Sequence, residues 1–298
     1  MPSSPPGTGL CDTLEGTHRH FLHRQNNRSE DRVDAPEVTR HKALRRSGLR
    51  VMSRRDELYR DQPAEAGSFR FDERVVDVFP DMIDRSVPGY ALIVPMIGQL
   101  SRRFVQSGTR VHDLGCSLGA VSLAIHQTLV REGKLENVRI LATDNSPAMI
   151  ERLSNGLSKL DDQGIPIEPL LGDLREVNLE NSSFVALNFT LQFLDLADRD
   201  ALMARIGAAL VPGGALVLAE KVNVPDPIEQ DRLTEWHHDY KRLQGYSDLE
   251  IARKRAALEA VLVTETEARH RERLLAAGFK QVTRWFQCFG FCAWLAEK

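Results

Sequence analysis

From about residue 90 onward the chain alternates short apolar runs with segments of helical period. That rhythm restricts it to an α/β fold built on a mainly parallel sheet. TRVHDLG (109–115) reads as the first strand and AVSLAIHQTLV (120–130) as the helix behind it. NVRILATD (137–144) is the second strand, after which Ser146 and Pro147 supply an N-cap and a first-turn proline. IEPLLGD (167–173) and SFVALNF (183–189) follow as strands. A helix covers roughly 197–211 up to Pro212-Gly213-Gly214, and ALVLAEK (215–221) is the fifth strand. Upstream, Tyr90, Ile93, Met96, Ile97, Leu100 and Phe104 are expected on one helical face interrupted by Pro95. Residues 228–277 read as charged and helical. The runs 280–286 and 288–296 are too close in sequence to pair other than as an antiparallel hairpin, with Cys288 and Cys292 expected on one strand face.

Composition narrows the function classes. Of the 298 residues, 42% are hydrophobic and 27% charged, enough for a sizeable core. No apolar stretch approaches the roughly 18–20 residues of a membrane helix, and the N-terminus lacks a secretory pattern. Four scattered cysteines supply neither a disulfide framework nor a four-ligand zinc site, so a reducing, cytoplasmic setting without a structural metal is expected. The net charge of −3 is uneven. Residues 1–51 carry nine basic and six acidic residues, which leaves 30 basic against 36 acidic for the rest. That acidic balance argues against a body that grips nucleic acid through phosphates. With one Phe and no Trp or Tyr, residues 1–51 are expected to be a disordered extension. Their His18, His20 and His23 read as tail rather than a metal tract. The texture changes at Met52, a candidate translation start, leaving 52–298 as one folded domain with a helical cap around 228–277.

The strongest local signal is VHDLGCSLGA. Asp113, Gly115 and Gly119 surround the end of the first strand, where glycines permit a tight turn into a helix and a close ligand approach. Cys116 and Ser117 occupy the place of the middle glycine of a dinucleotide fingerprint, which disfavours a nicotinamide dehydrogenase. The second strand ends at Asp144-Asn145, where an acid can accept both ribose hydroxyls or serve as a helix N-terminal acid. The third ends at Asp173-Leu174, where a carboxylate could meet an adenine amino group. The fourth ends at Asn188-Phe189-Thr190. Polar residues at the carboxyl ends of successive strands define a crevice suited to a nucleoside.

Across residues 90–298 this arrangement resembles the Rossmann-like class I S-adenosylmethionine-dependent methyltransferase fold, with a mostly parallel seven-stranded sheet and an antiparallel C-terminal hairpin. Longer strings narrow the likeness: FDERVVDVFPDMIDRSVPGY, VHDLGCSLGA, DNSPAMIER, LNFTLQFL and WHHDYKRLQGYSDLEIARKRAALE. From Met52 to the C-terminus they resemble the carboxy-S-adenosylmethionine synthase family, with Pro95 a small departure. The resemblance implies carboxylation of the S-methyl group of S-adenosylmethionine, with prephenate as the CO2 source and phenylpyruvate as the by-product. It also implies a homodimer whose product passes to a tRNA carboxymethyltransferase acting on the wobble uridine, with no direct contact between this chain and nucleic acid. By the same likeness Tyr90 lies in the ligand site, Gly115 with the adjoining Cys116 and Ser117 at the methionine portion, and Asp144 and Asn145 at the ribose. Asp173 and Leu174 fall at the adenine, Asn188 at the ligand, and Arg255 at the new carboxylate, for which a guanidinium fork is suited.

Weaker candidates stand beside these. Of the adjacent pair His237-His238, helical geometry lets one point inward, and His238 is taken as the candidate for proton transfer. Lys221 and Tyr246 are placed near the crevice. Cys116 has no evident base and reads as packing. Trp285, Phe289, Phe291 and Trp294 read as core or subunit contact. By residue types alone a conventional methyltransferase and a silent ligand-binding subunit stay open.

Overall fold

Asp72 accepts from the backbone N–H groups of Arg74 and Val75 and so starts helix α1 (Glu73–Ser86). Helix α2 (Tyr90–Ser101) follows and carries Pro95 within it. Then β1 (Arg110–Leu114), α3 (Ala120–Glu132) and β2 (Arg139–Asp144) lead to α4 (Pro147–Leu157), whose cap is the Ser146 hydroxyl accepting from Met149 N. After β3 (Ile167–Leu171) and β4 (Ser182–Asn188) a single 3-10 turn (Leu191–Phe193) precedes α5 (Leu196–Ala209) and β5 (Leu210–Asn223). The chain continues as α6 (Pro227–Leu243), α7 (Asp248–Glu259), β6 (Glu265–Thr266) and α8 (Glu267–Ala276), then closes with β7 (Gln281–Cys288) and β8 (Phe291–Glu297). This computed structural model describes residues 54–60, 71–133, 135–159, 164–259 and 261–298. The expected disorder over 1–51 and the candidate start at Met52 lie outside the described residues.

The main sheet runs β3-β2-β1-β4-β5-β8-β7. Its first five strands are parallel, and β8 is antiparallel to both β5 and β7. Both faces are covered, which explains why β4 reads as a nearly unbroken apolar run. Phe184 and Ala186 pack with Ile93, Ile97, Ile125 and Leu129 of α2 and α3. Val185 and Leu187 face the other way, onto Leu202, Met203, Ile206 and Leu274 of α5 and α8. Successive side chains thus serve two cores. Strand order reverses between β1 and β4, and a crevice opens at their carboxyl ends.

Three local expectations are corrected. Helix α5 ends at Ala209, not at the Pro-Gly-Gly, because Leu210 already pairs with Ser182 of β4 and the strand resumes after a register shift. The region 228–277 is three helices interrupted by β6, which pairs with Val222 and Asn223 of β5. Buried Arg199 fixes that interruption by donating to Glu265 and to the carbonyls of Gln192, Leu194 and Val263. Cys288 and Cys292 lie on different strands, separated by the turn at Phe289-Gly290, with Cys292 opposite Gln287.

Candidate active site

The turn from β1 into α3 is held by its own backbone. Gly115, Ser117 and Gly119 all adopt positive φ, at 77°, 49° and 77°. A Cβ at Gly115 would run into the Thr190 side chain, and one at Gly119 would sit 2.5 Å from Leu153 Cδ1. Both glycines are therefore required by close packing of the chain against itself, whatever the crevice binds. The N–H groups of Gly115 and Cys116 both donate to Thr143 O, and Ser117 N donates to Asp144 Oδ2 at 2.9 Å. Asp144 Oδ1 accepts from Ser146 N at 2.9 Å, so one carboxylate ties the loop to the start of α4. Burial raises the Asp144 carboxyl above its ordinary range, and the N–H groups of Ser146, Ser117 and Asn145 oppose that shift.

Asp113 has a structural task. Its Oδ2 accepts from both the N–H and the hydroxyl of Ser122, at 2.9 and 2.7 Å, which pins the first turn of α3. Burial pushes its carboxyl up to about 6. At the end of β4 the chain passes from Asn188 into Phe189 at φ +60°, a left-handed conformation costly for an aromatic residue, with Phe189 N held by Ala219 O. Asn188 Oδ1 is buried and has no hydrogen-bond partner among the described residues. An acceptor in that condition needs a donor from a ligand or water.

The crevice is a cavity of about 580 Å³, within the ordinary range for small-molecule sites. All ten residues singled out in the sequence line it: Tyr90, Gly115, Cys116, Ser117, Asp144, Asn145, Asp173, Leu174, Asn188 and Arg255. They arrive from α2, the ends of β1, β2, β3 and β4, and α7. The Tyr90 phenol is pushed up by burial and by Asp113 and Asp84. Asp173 is engaged with Arg175, which also reaches Asp198, and that guanidinium holds the carboxyl below its usual range. The Cys116 thiol is buried and pushed far up by desolvation and by Asp113 and Asp144, so it is no nucleophile at neutral pH.

The same cavity also holds a cluster of cations. Lys221 at the end of β5, Lys241 of α6, and Lys254 and Arg255 of α7 all line the cavity. Lys254 donates to Ser86 Oγ at 2.9 Å and contacts Asp56 at 3.3 Å. Arg255, Lys221 and Lys241 have no side-chain hydrogen bond or ion pair among the described residues. Burial and then Arg255 lower the Lys221 ammonium, while burial and its neighbours Lys254, Lys221 and Arg255 bring Lys241 to about 7.

Weaker candidates sort differently. Both histidines line the cavity, but His237 is the buried one, with Nε2 2.8 Å from Ser86 O and its ring edge-on to Phe291. His238 is half-buried. Tyr246 is not a lining residue. Its hydroxyl donates to Asp56 Oδ2 at 2.5 Å beneath the Arg85 guanidinium. Phe291 lines the cavity, while Trp294 lies deep in the core. Lys241 and Gln192 escaped the sequence reading. Lys241 had a usable signal, for it follows His237 by one helical turn on the same face.

Among the described residues no group of three or more His, Cys, Asp or Glu side chains is placed to hold a metal, and no helix is long and apolar enough to cross a membrane. The sequence profile of the family described as "Methyltransferase domain" matches residues 111–214. The fold is similar to a putative O-methyltransferase from Nostoc punctiforme PCC 73102, at TM-score 0.51 and 18% identity over 76% of this chain and 60% of that one. It is also similar to magnesium protoporphyrin IX methyltransferase from Synechocystis PCC 6803, solved with bound SAH, at TM-score 0.50 and 15% identity over 78% and 90% of the two chains. These likenesses establish the methyltransferase fold, as expected. Closer in sequence are proteins named carboxy-S-adenosyl-L-methionine synthase. The one from Hahella chejuensis is 49% identical over 245 residues, 82% of this chain and 98% of its own. The one from Salmonella paratyphi B is 49% identical over 247 residues, 83% and 98% of the two. Given that identity over nearly the full length of these relatives, the chain belongs to the carboxy-S-adenosyl-L-methionine synthase family.

Proposed function

We propose that the protein converts S-adenosyl-L-methionine and prephenate to carboxy-S-adenosyl-L-methionine and phenylpyruvate. The observation that carries this reading is the cluster of cations without side-chain partners among the described residues, Lys221, Lys241 and Arg255, sharing one cavity with a nucleoside-type cradle. A conventional methyl transfer from a cationic sulfonium has no use for three uncompensated cations beside it. A dianionic co-substrate does, because it neutralises them on binding.

In this reading Asp144 and Asn145 take the ribose, Asp173 and Leu174 the adenine region, and the Gly115–Ser117 loop the methionine portion. Asn188 and Tyr90 complete the pocket around the ligand. Asp144 keeps lone pairs for hydroxyl donors beyond its two backbone bonds. A sulfonium acidifies its methyl group, so removal of a proton gives a carbanion equivalent able to attack CO2. Prephenate yields CO2 as its ring becomes aromatic. The chain supplies electrostatic positioning: Arg255 holds the carboxylate formed, and the shared cavity brings prephenate beside the methyl that takes up its CO2. The same reading makes the protein a cytoplasmic homodimer whose helical segment 228–277 caps the site. Its product goes to a tRNA carboxymethyltransferase that forms 5-oxyacetyluridine at the wobble position.

The test is the mass of the nucleoside released when protein purified from cells is denatured, with a second sample incubated with S-adenosyl-L-methionine and prephenate. S-adenosylmethionine heavier by one CO2 supports the reading. Unmodified ligand that stays unchanged after incubation with prephenate overturns it in favour of a conventional methyltransferase.

A further inference from the structure

The proposed reaction leaves a proton to account for. A hydroxyl must leave prephenate as water, and the S-methyl group must lose a proton. Among the titratable groups lining the cavity, most are committed or badly placed. Arg255 does not release a proton at accessible pH. Lys254 is fixed between Asp56 and Ser86. His237 spends Nε2 on the Ser86 carbonyl. His238 and Lys221 are only half-buried, and the Lys221 ammonium lies 5.9 Å over the Phe291 ring. Lys241 alone combines burial, at 8% exposure, with the absence of any side-chain acceptor among the described residues.

We propose that Lys241 is the proton carrier of the reaction, giving its proton to the departing hydroxyl of prephenate and taking one back from the S-methyl group. The inference rests on the function proposed above. In the first step the bond between the ring and its carboxylate breaks, its electron pair completes the aromatic ring, and CO2 is released. The ring C–O bond breaks at the same time, and the oxygen leaves as water with the Lys241 proton. In the second step the S-methyl C–H bond breaks with its proton passing to the now neutral amine. The electron pair forms a C–C bond to CO2, which becomes a carboxylate against Arg255. Lys241 ends as it began, and the sum is S-adenosylmethionine plus prephenate giving carboxy-S-adenosylmethionine, phenylpyruvate and water.

The surroundings suit an amine that changes state twice. Facing Lys241 are Lys221 from β5, Lys254 and Arg255 from α7, and His237 and His238 from its own helix. Tyr90 enters the same cavity from α2, and Asp113, Asp144 and Asp173 line its nucleoside side. The neighbouring cations and burial place the free enzyme's Lys241 at about 7. Bound dianion raises it and loads the proton, and conversion of the dianion lowers it again.

Lys241→Arg decides the matter, because it keeps the charge and removes the titration. Expected are S-adenosylmethionine binding by calorimetry within a few-fold of wild type, a prephenate KM within about tenfold, and a kcat lowered by 100-fold or more. A Lys241→Cys variant alkylated with bromoethylamine restores an amine and should recover kcat, whereas the unalkylated variant should not. For the wild type, kcat/KM for prephenate should fall as pH rises through about 7, and the arginine variant should lack that limb. Lys241→Arg that binds both substrates and turns over at the wild-type rate overturns the proton role. Wild-type protein that makes no carboxylated product overturns the parent reading instead.

Discussion

Asp56 and Lys254, 198 residues apart in sequence, meet in a buried contact at 3.3 Å, and Tyr246 donates to the same carboxylate oxygen. Asp56 Oδ1 also accepts from Leu58 N, its own N–H donates to Asp81 Oδ2, and its carbonyl accepts from Arg85. Arg253 adds two bonds to the carbonyls of Tyr59 and Arg60. The segment 54–60 thereby straps α7, and with it Arg255, to α1. Asp56→Ala leaves a buried ammonium and a buried hydroxyl without their acceptor. The expected cost is about 3–5 kcal/mol of unfolding free energy in urea titrations, with the prephenate KM raised and S-adenosylmethionine affinity much less affected. A variant as stable as wild type would show that the strap does not hold α7.

Arg255 presents the opposite case, an exposed side chain with no side-chain partner among the described residues. Its replacement should leave the fold untouched, within about 0.5 kcal/mol by thermal or denaturant unfolding. Arg255→Lys keeps the charge and loses the planar fork that fits a carboxylate at two points. We expect S-adenosylmethionine to bind normally and turnover with prephenate to fall about 100-fold. Wild-type turnover in this variant would remove Arg255 from the reaction.

Much of this architecture can be read locally. A strand buried on both faces must be apolar throughout, so β4 announces itself as SSFVALN. The Ser146-Pro147 cap and the VHDLGCSLGA turn likewise depend on neighbours in sequence. Non-local contacts are where the reading failed. Helix α5 stops early because Leu210 finds Ser182, and β6 exists because Arg199 draws Glu265 inward. Tyr246 belongs to a cluster completed by Asp56, which no spacing rule connects to it. All ten candidate residues do meet at one cavity: eight follow from strand ends converging where the sheet order reverses, while Tyr90 and Arg255 are brought there by α2 and α7. The significance of Lys241 was hidden for a different reason. It comes from what the residue lacks, and an absent counter-ion is visible only once every neighbour is placed.

Asp144 links the glycine loop to α4 through Ser117 and Ser146, so its removal should damage binding and stability together. Asp144→Ala leaves two backbone donors without their acceptor, an expected cost of about 1–3 kcal/mol. It should also weaken S-adenosylmethionine binding by at least tenfold in calorimetry, through lost ribose contacts and a loosened loop. Asp144→Asn retains one acceptor oxygen and should fall between alanine and wild type in both measurements. Equal binding by all three proteins would exclude Asp144 from the nucleoside site.

Asp113 should show its role through pH. Its folded carboxyl stands at about 6, raised by burial from an ordinary value near 4. Between those values the folded state holds more protons than the unfolded chain, so this group's stabilising contribution is full below pH 4 and is lost as pH rises through 6. Asp113→Asn removes the titration while its amide oxygen can still accept from the Ser122 N–H and hydroxyl. Relative to wild type, the variant should therefore gain stability between pH 4 and 7, by up to roughly 2–3 kcal/mol. Urea unfolding of both proteins at pH 4, 5.5 and 7 gives the comparison. A constant difference across that range would mean that Asp113 titrates as an ordinary carboxylate, and a variant that unfolds at every pH would mean that Ser122 needs the charge.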